Sequence, residues 1–93
     1  MNLMEISKLE SDLNQTRVET VLADLKVALT FADIAETSSD TATRKRNREN
    51  VKKAIHDIRD VLLPLCSPDE SQSAEIDRKL GELQQRLERW DEK

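Results

Sequence analysis

Residues 18–35 read VETVLADLKVALTFADIA, and this stretch carries two apolar stripes rather than one. Val18, Val21, Leu22, Leu25, Ala28, Leu29, Ala32 and Ala35 recur at spacings of three and four, so they share one side of a helix. Val27, Phe31 and Ile34 lie on a different side, and their stripe continues toward the N-terminus through Ala23, Thr20, Thr16, Leu13, Leu9 and Ile6. At 3.6 residues per turn the two stripes are centred about 140° apart. A helix of a small bundle needs one buried face. A helix with two requires a second occupant.

Two clusters of breakers bound the flanking segments. Thr37-Ser38-Ser39-Asp40-Thr41 is a run of residues that favour caps and turns over helix interiors. Pro64-Leu65-Cys66-Ser67-Pro68-Asp69-Glu70 is the second break. Pro64 should stop the preceding helix near Leu62 or Leu63. Ser67 fits an N-cap, Pro68 the first helical position and Glu70 the reciprocal carboxylate of a capping box. The sequence thus predicts three helices in a single domain, at about 3–37, 41–63 and 68–91. On the second, Asn47, Val51, Ala54, Ile55, Ile58, Val61 and Leu62 form an apolar face. On the third, Ile76, Leu80, Leu83, Leu87 and Trp90 form a narrower, coiled-coil-like seam. The fold predicted is all-α: an antiparallel three-helix bundle with an extended first helix.

The first helix is too long for its partners. About 18 Å of its N-terminal half would overhang the 64–67 turn, carrying Leu3, Ile6, Leu9 and Leu13. Two arrangements answer this. Either the helix is continuous and its second stripe is a dimer interface, using Ile6, Leu9, Leu13, Val27, Phe31 and Ile34. Or the chain breaks near Asn14-Gln15-Thr16, with Thr16 and Glu19 as a capping box, and residues 2–13 fold back as a fourth short helix. The continuous helix accounts for more residues, because Val27, Phe31 and Ile34 lie beyond the reach of a short folded-back segment.

Charge is divided along the 93 residues. Residues 1–40 have a net charge of −5, residues 41–66 of +4 and residues 67–93 of −3. A basic helix between two acidic ones favours their mutual packing. The strongest local signal is Arg44-Lys45-Arg46-Asn47-Arg48, at the start of helix 2, where cations oppose the helix dipole. With Lys52 these bases are candidates for binding an anion or a nucleic-acid backbone. The competing expectation is internal compensation by Asp33, Glu36 and Asp40 of helix 1 and Glu88, Asp91 and Glu92 of helix 3, which should gather at the same pole. Nucleic acid is the weaker expectation, since the chain is acidic overall and has no aromatic interleaving for base stacking. Asn47, on the apolar face, should make a register-fixing hydrogen bond. Trp90 should close the same end of the core against Arg44 or Arg48.

Other chemistries find little support. With no Tyr, one Phe, one Trp, one Gly and 37% charged residues, the composition is that of a helical bundle or coiled coil. No apolar run approaches the roughly 18 residues of a membrane span, and MNLMEISKLE lacks the pattern of an export signal. Cys66 is the only cysteine, so no intrachain disulfide can form and a cytoplasmic setting is expected; the thiol reads as a small apolar residue. His56 faces away from the core with Asp60 one turn on, and together with Cys66 makes neither a metal set nor a nucleophile–base pair. No cofactor and no catalysis are expected.

The run Phe31-Ala32-Asp33-Ile34-Ala35, then Thr43-Arg44-Lys45-Arg46-Asn47 and a helix ending Asp57-Ile58-Arg59-Asp60-Val61-Leu62, resembles small uncharacterised bacterial helical proteins. In those, an alanine-rich helix precedes an Arg-Asn motif and an Ala-x-x-Tyr-Asp-like helix. The resemblance covers roughly residues 25–65, with His56 where that pattern has an aromatic, and it implies no activity. The function expected from the residues is a non-catalytic interaction or adaptor module, forming a homodimer through helix 1. The alternative is anion or nucleic-acid binding through Arg44, Lys45, Arg46, Arg48 and Lys52.

Overall fold

A computed structural model describes residues 2–91. Three long helices, α1 (Leu3–Thr37), α2 (Thr41–His56) and α3 (Glu70–Asp91), account for most of them, and there is no strand among the described residues. The chain is all-α. Each helix contacts the other two, and the molecule measures 57 × 21 × 18 Å. The long dimension follows from α1, since 35 residues at about 1.5 Å each span about 52 Å.

The core assembles from the faces read in the sequence. Val18, Val21, Leu25, Ala28, Ala32 and Ala35 of α1 are fully buried. They meet Val51, Ile55 and Ile58 from the second helical segment and Ile76, Leu80 and Leu83 of α3. Leu22, Leu29, Ala54, Leu62, Leu87 and Trp90 pack around this centre. Burial begins only at Val18. Every residue from Asn2 to Leu13 is exposed, so the N-terminal arm of α1 projects past its partners.

α1 does not break, and the four-helix alternative is corrected accordingly. Thr16 serves no cap, because its hydroxyl donates to the Asp12 carbonyl at 3.1 Å inside an uninterrupted helix. Glu19 accepts from Gln15 Nε2 at 3.2 Å instead of turning back on the backbone. The capping box lies at the true N-terminus of the helix, where Asn2 Oδ1 accepts from the Glu5 amide and the Glu5 carboxylate accepts from the Asn2 amide. Asn14 has a different use. Its amide clamps Ser67, donating to that carbonyl at 3.0 Å and accepting from that amide at 2.6 Å. Arg17 Nη1 adds a bond to the Leu65 carbonyl at 3.0 Å.

This clamp also moves the expected cap of α3. Ser67 is held in the loop and Pro68 precedes the helix, so neither they nor Glu70 form the capping box. Asp69 and Gln72 form it instead: Asp69 Oδ1 accepts from the Gln72 amide at 2.7 Å, and Gln72 Oε1 accepts from the Asp69 amide at 2.9 Å.

The second segment is also revised. α2 ends at His56, residues Asp57–Leu62 wind as a wider π-helical turn, and Leu63–Leu65 tighten into a 3-10 turn. Pro64 is the physical cause. It has no N–H for the preceding turn, and its ring crowds the carbonyl of Asp60, which a widened turn relieves. The wider turn shifts the face by one position. Ile58 stays buried, Val61 is left half exposed, and Leu63 joins the margin of the core in its place. Cys66 packs at that margin too, half-buried, with Sγ 3.5 Å from the Leu63 carbonyl.

The core assignment has a direct check. Leu25→Ala should lower unfolding free energy by about 2–5 kcal/mol in urea melts. Leu9→Ala, measured at micromolar protein or below, should change it by less than about 0.5 kcal/mol.

Candidate functional site

Two surfaces carry the unexplained residues: the outer face of α1, and the pole where α1 ends, α2 begins and α3 ends.

On α1, Ile6, Leu9, Leu13, Val27 and Ile34 are 40%, 54%, 49%, 50% and 37% exposed, and Leu3 and Met4 more so. Phe31 differs. It is half-buried against the core and lines a cavity of about 300 Å³ between α1 and the second helical segment, where Val27, Ala54 and Ile58 are apolar and Asp24, Asn50, Lys53 and Asp57 form the polar wall. The threonines on the stripe do not interrupt it. The Thr16 and Thr20 hydroxyls donate to carbonyls four residues back, at 3.1 and 2.9 Å, which satisfies the polar group and leaves the methyl as the remaining surface. The result is a single apolar band along α1, flanked by charged residues.

At the pole, two of the acids expected to compensate the bases of α2, Asp33 and Glu36, are engaged elsewhere, while Glu92 lies outside the described residues. The acids at the end of α1 are engaged by α3. Arg86, with 16% of its side chain exposed, donates to Asp33 Oδ1 at 2.7 Å and to Glu82 Oε1 at 3.1 Å, and lies 3.8 Å from Glu36. The hydrogen bond to Asp33 foremost, then the charges of Glu36, Asp33 and Glu82, raise the Arg86 pKa above its ordinary value against the opposing effect of burial. Glu36 also lies 3.6 Å from Arg89 and accepts from Trp90 Nε1 at 3.3 Å. Asp40 caps α2, accepting from the Thr43 amide and hydroxyl. Those two bonds, with a smaller contribution from the Arg46 charge, hold its carboxyl below the usual range. Because the folded state favours the ionised form, this cap stabilises at neutral pH and weakens as acid titrates it.

Arg44, Lys45 and Arg46 form no salt bridge among the described residues. Arg44, Lys45, Arg48 and Lys52 line a cavity of about 400 Å³ with Trp90, where Glu49 and Asp91 supply opposing charge. Arg48 lies 5.5 Å from the Trp90 ring centre, the pairing expected for one of the two arginines, and its buried Nε has no hydrogen-bond partner among the described residues. Asn47 is buried and donates to the Thr43 carbonyl at 2.9 Å, so its amide bonds within its own helix instead of across to a neighbour. His56 Nδ1 meets Asp60 at 2.8 Å on the outer surface. Among the described residues no group of three or more His, Cys, Asp or Glu side chains is placed to hold a metal ion.

The chain matches no family model, no curated protein and no solved structure.

The division of labour at the pole can be tested by denaturation. Arg86→Gln should cost about 1–2 kcal/mol, more than an exposed pair contributes, because it leaves three carboxylates facing a neutral side chain. Arg44→Gln with Arg46→Gln should stay within about 0.5 kcal/mol of the parent. Equal losses in the two proteins would show that the α2 bases hold the pole together.

Proposed function

We propose that this chain is a non-catalytic, cytoplasmic interaction module: an antiparallel three-helix bundle that forms a homodimer through the outer face of α1. The observation that carries the reading is the exposed band of Ile6, Leu9, Leu13, Val27 and Ile34 beside half-buried Phe31. Contiguous apolar bands of this length are rare on monomers and mark interaction surfaces. No helix among the described residues is long and apolar enough to cross a membrane. Each large side chain fully buried in a dimer contributes about 1.5–3 kcal/mol before association costs, enough in sum for a stable pair. The single cysteine favours a reducing compartment.

A second reading is favoured by a different observation. The buried, unpaired Arg48 Nε and the cations around it make the pole a possible anion site, with phosphate the simplest ligand. Binding there would fall steeply as salt rises, whereas an apolar dimer is little affected.

Light scattering coupled to size exclusion distinguishes the two. The parent should run as a dimer at tens of micromolar, in both ~50 and ~500 mM salt. Leu9→Glu with Leu13→Glu should give a monomer of unchanged helicity, since both residues lie on the projecting arm. A parent that stays monomeric at 100 μM removes the dimer reading.

A further inference from the structure

Resting on the proposed dimer, we propose that two copies pair their α1 helices antiparallel about a two-fold axis at Thr20. The projecting arm of each would then lie over Val27, Phe31 and the adjoining α1–α2 cavity of the other. The stripe is symmetric about that residue. Ile6 and Ile34 lie fourteen positions to either side of Thr20, Leu9 and Phe31 eleven, and Leu13 and Val27 seven. Antiparallel pairing at Thr20 therefore sets every large apolar residue of one copy opposite a large apolar residue of the other. A closed two-fold interface requires this self-complementarity.

The centre and the edges agree with the same axis. Around it lie Thr16, Thr20 and Ala23, all exposed and small, so the two helices can approach closely where they cross. In antiparallel helix pairs, like flanks face one another. On one flank, Asp24 comes level with the partner's Arg17, within one residue of the ideal register, and the guanidinium has donors to spare beyond its bond to the Leu65 carbonyl of its own chain. On the other, Lys26 comes within two residues of the level of the partner's Asp12, and Lys8 near the partner's Asp33, which accepts from Arg86 of its own chain through one oxygen and is still exposed. Each of these opposite-charge pairs occurs twice by symmetry.

Length supports the match. From Ile6 to Ile34 the stripe runs about 42 Å, long enough for a contact of the standard size of about 800 Å² per partner. The arm has no neighbouring helix in its own chain. The cavity beside Val27 and Phe31, of about 300 Å³, lies on the partner where Leu9 and Leu13 would arrive. The overhang of one copy thus covers what the other leaves open.

Disulfide trapping in a Cys66→Ser background tests the axis. Two cysteines must come within about 7 Å between Cα atoms to be bridged. Thr20→Cys should give a covalent dimer under mild oxidation. Val27→Cys alone should not, because its two copies would lie about 21 Å apart along the helices. Mixing the Leu13→Cys and Val27→Cys proteins should give a crosslinked heterodimer. Self-crosslinking of Val27→Cys in a protein that is dimeric by scattering would establish a parallel pairing and overturn the proposed axis while leaving the dimer intact. A dimer in which none of the three crosslinks would also overturn it. A monomeric Cys66→Ser parent at 100 μM would remove the dimer itself and, with it, the axis.

Discussion

The structure depends on the taper of the buried face of α1. Toward the loop end this face presents Val18, Val21 and Leu25; toward the pole it presents Ala28, Ala32 and Ala35, all fully buried. Large side chains keep helices apart and alanines let them close. At the pole α2 and α3 supply what the alanines omit. Asn47 is buried with its own backbone bond, Trp90 is clamped between Glu36 and Arg48, and Arg86 reaches across to Asp33. At the loop end the core is aliphatic, and the polar contacts there, from Asn14 and Arg17, go to the loop backbone. At the pole it is thin, and charge-assisted bonds between helices take over. The ion pairs that join helices there run between α1 and α3, the two acidic segments, and none among the described residues ties the basic α2 to either.

The loop end solves a different problem, the termination of the second helical segment beside a helix that continues. Pro64 forces the stop. The preceding π-helical turn keeps Ile58 in the core while it rotates Val61 out and Leu63 in. Asn14 then fixes the loop by reading both polar groups of the Ser67 backbone. This contact sets how far α1 extends past the turn. Residues 2–13 beyond it are exposed and pack on no other helix among the described residues, and the arm is the geometric consequence.

Much of this was legible in the sequence, because periodicity and punctuation act locally. The faces of α1 and α3, the breaks at 37–41 and 64–70, and the continuity favoured by Val27, Phe31 and Ile34 all follow from spacing alone. What stayed hidden depended on competition between equally plausible local partners. Ser67 and Asp69 are both good caps, and only the tertiary bond from Asn14 decides between them. Thr16 and Glu19 spell a capping box, yet a hydroxyl inside a helix can bond four residues back. The π-helical turn was foreshadowed by Pro64, but no pattern of apolar residues announces a widened turn. The bases of α2 illustrate the same limit. Spacing brought opposite charges to one pole, but side-chain reach assigned the acids of α1 to Arg86 and Arg89. As for the candidate interface, its residues were readable from the second stripe, while the half-burial of Phe31 depended on the approach of α2.

A chain of 93 residues buries only about 60–65% of its unfolded surface, so its core is small for its length. Here the limit is sharper, because the arm adds ordering entropy to α1 without adding core. Helical segments this short and isolated are marginal in water. The capping box of Asn2 and Glu5 offsets part of that cost but leaves Leu3, Met4, Ile6, Leu9 and Leu13 facing solvent. Covering them with a second copy would return the missing burial and make the stability of the fold depend on its concentration. In the dimer we propose, the arm would join the shared core, and the antiparallel symmetry of its stripe would lay each arm on the bundle of the other copy.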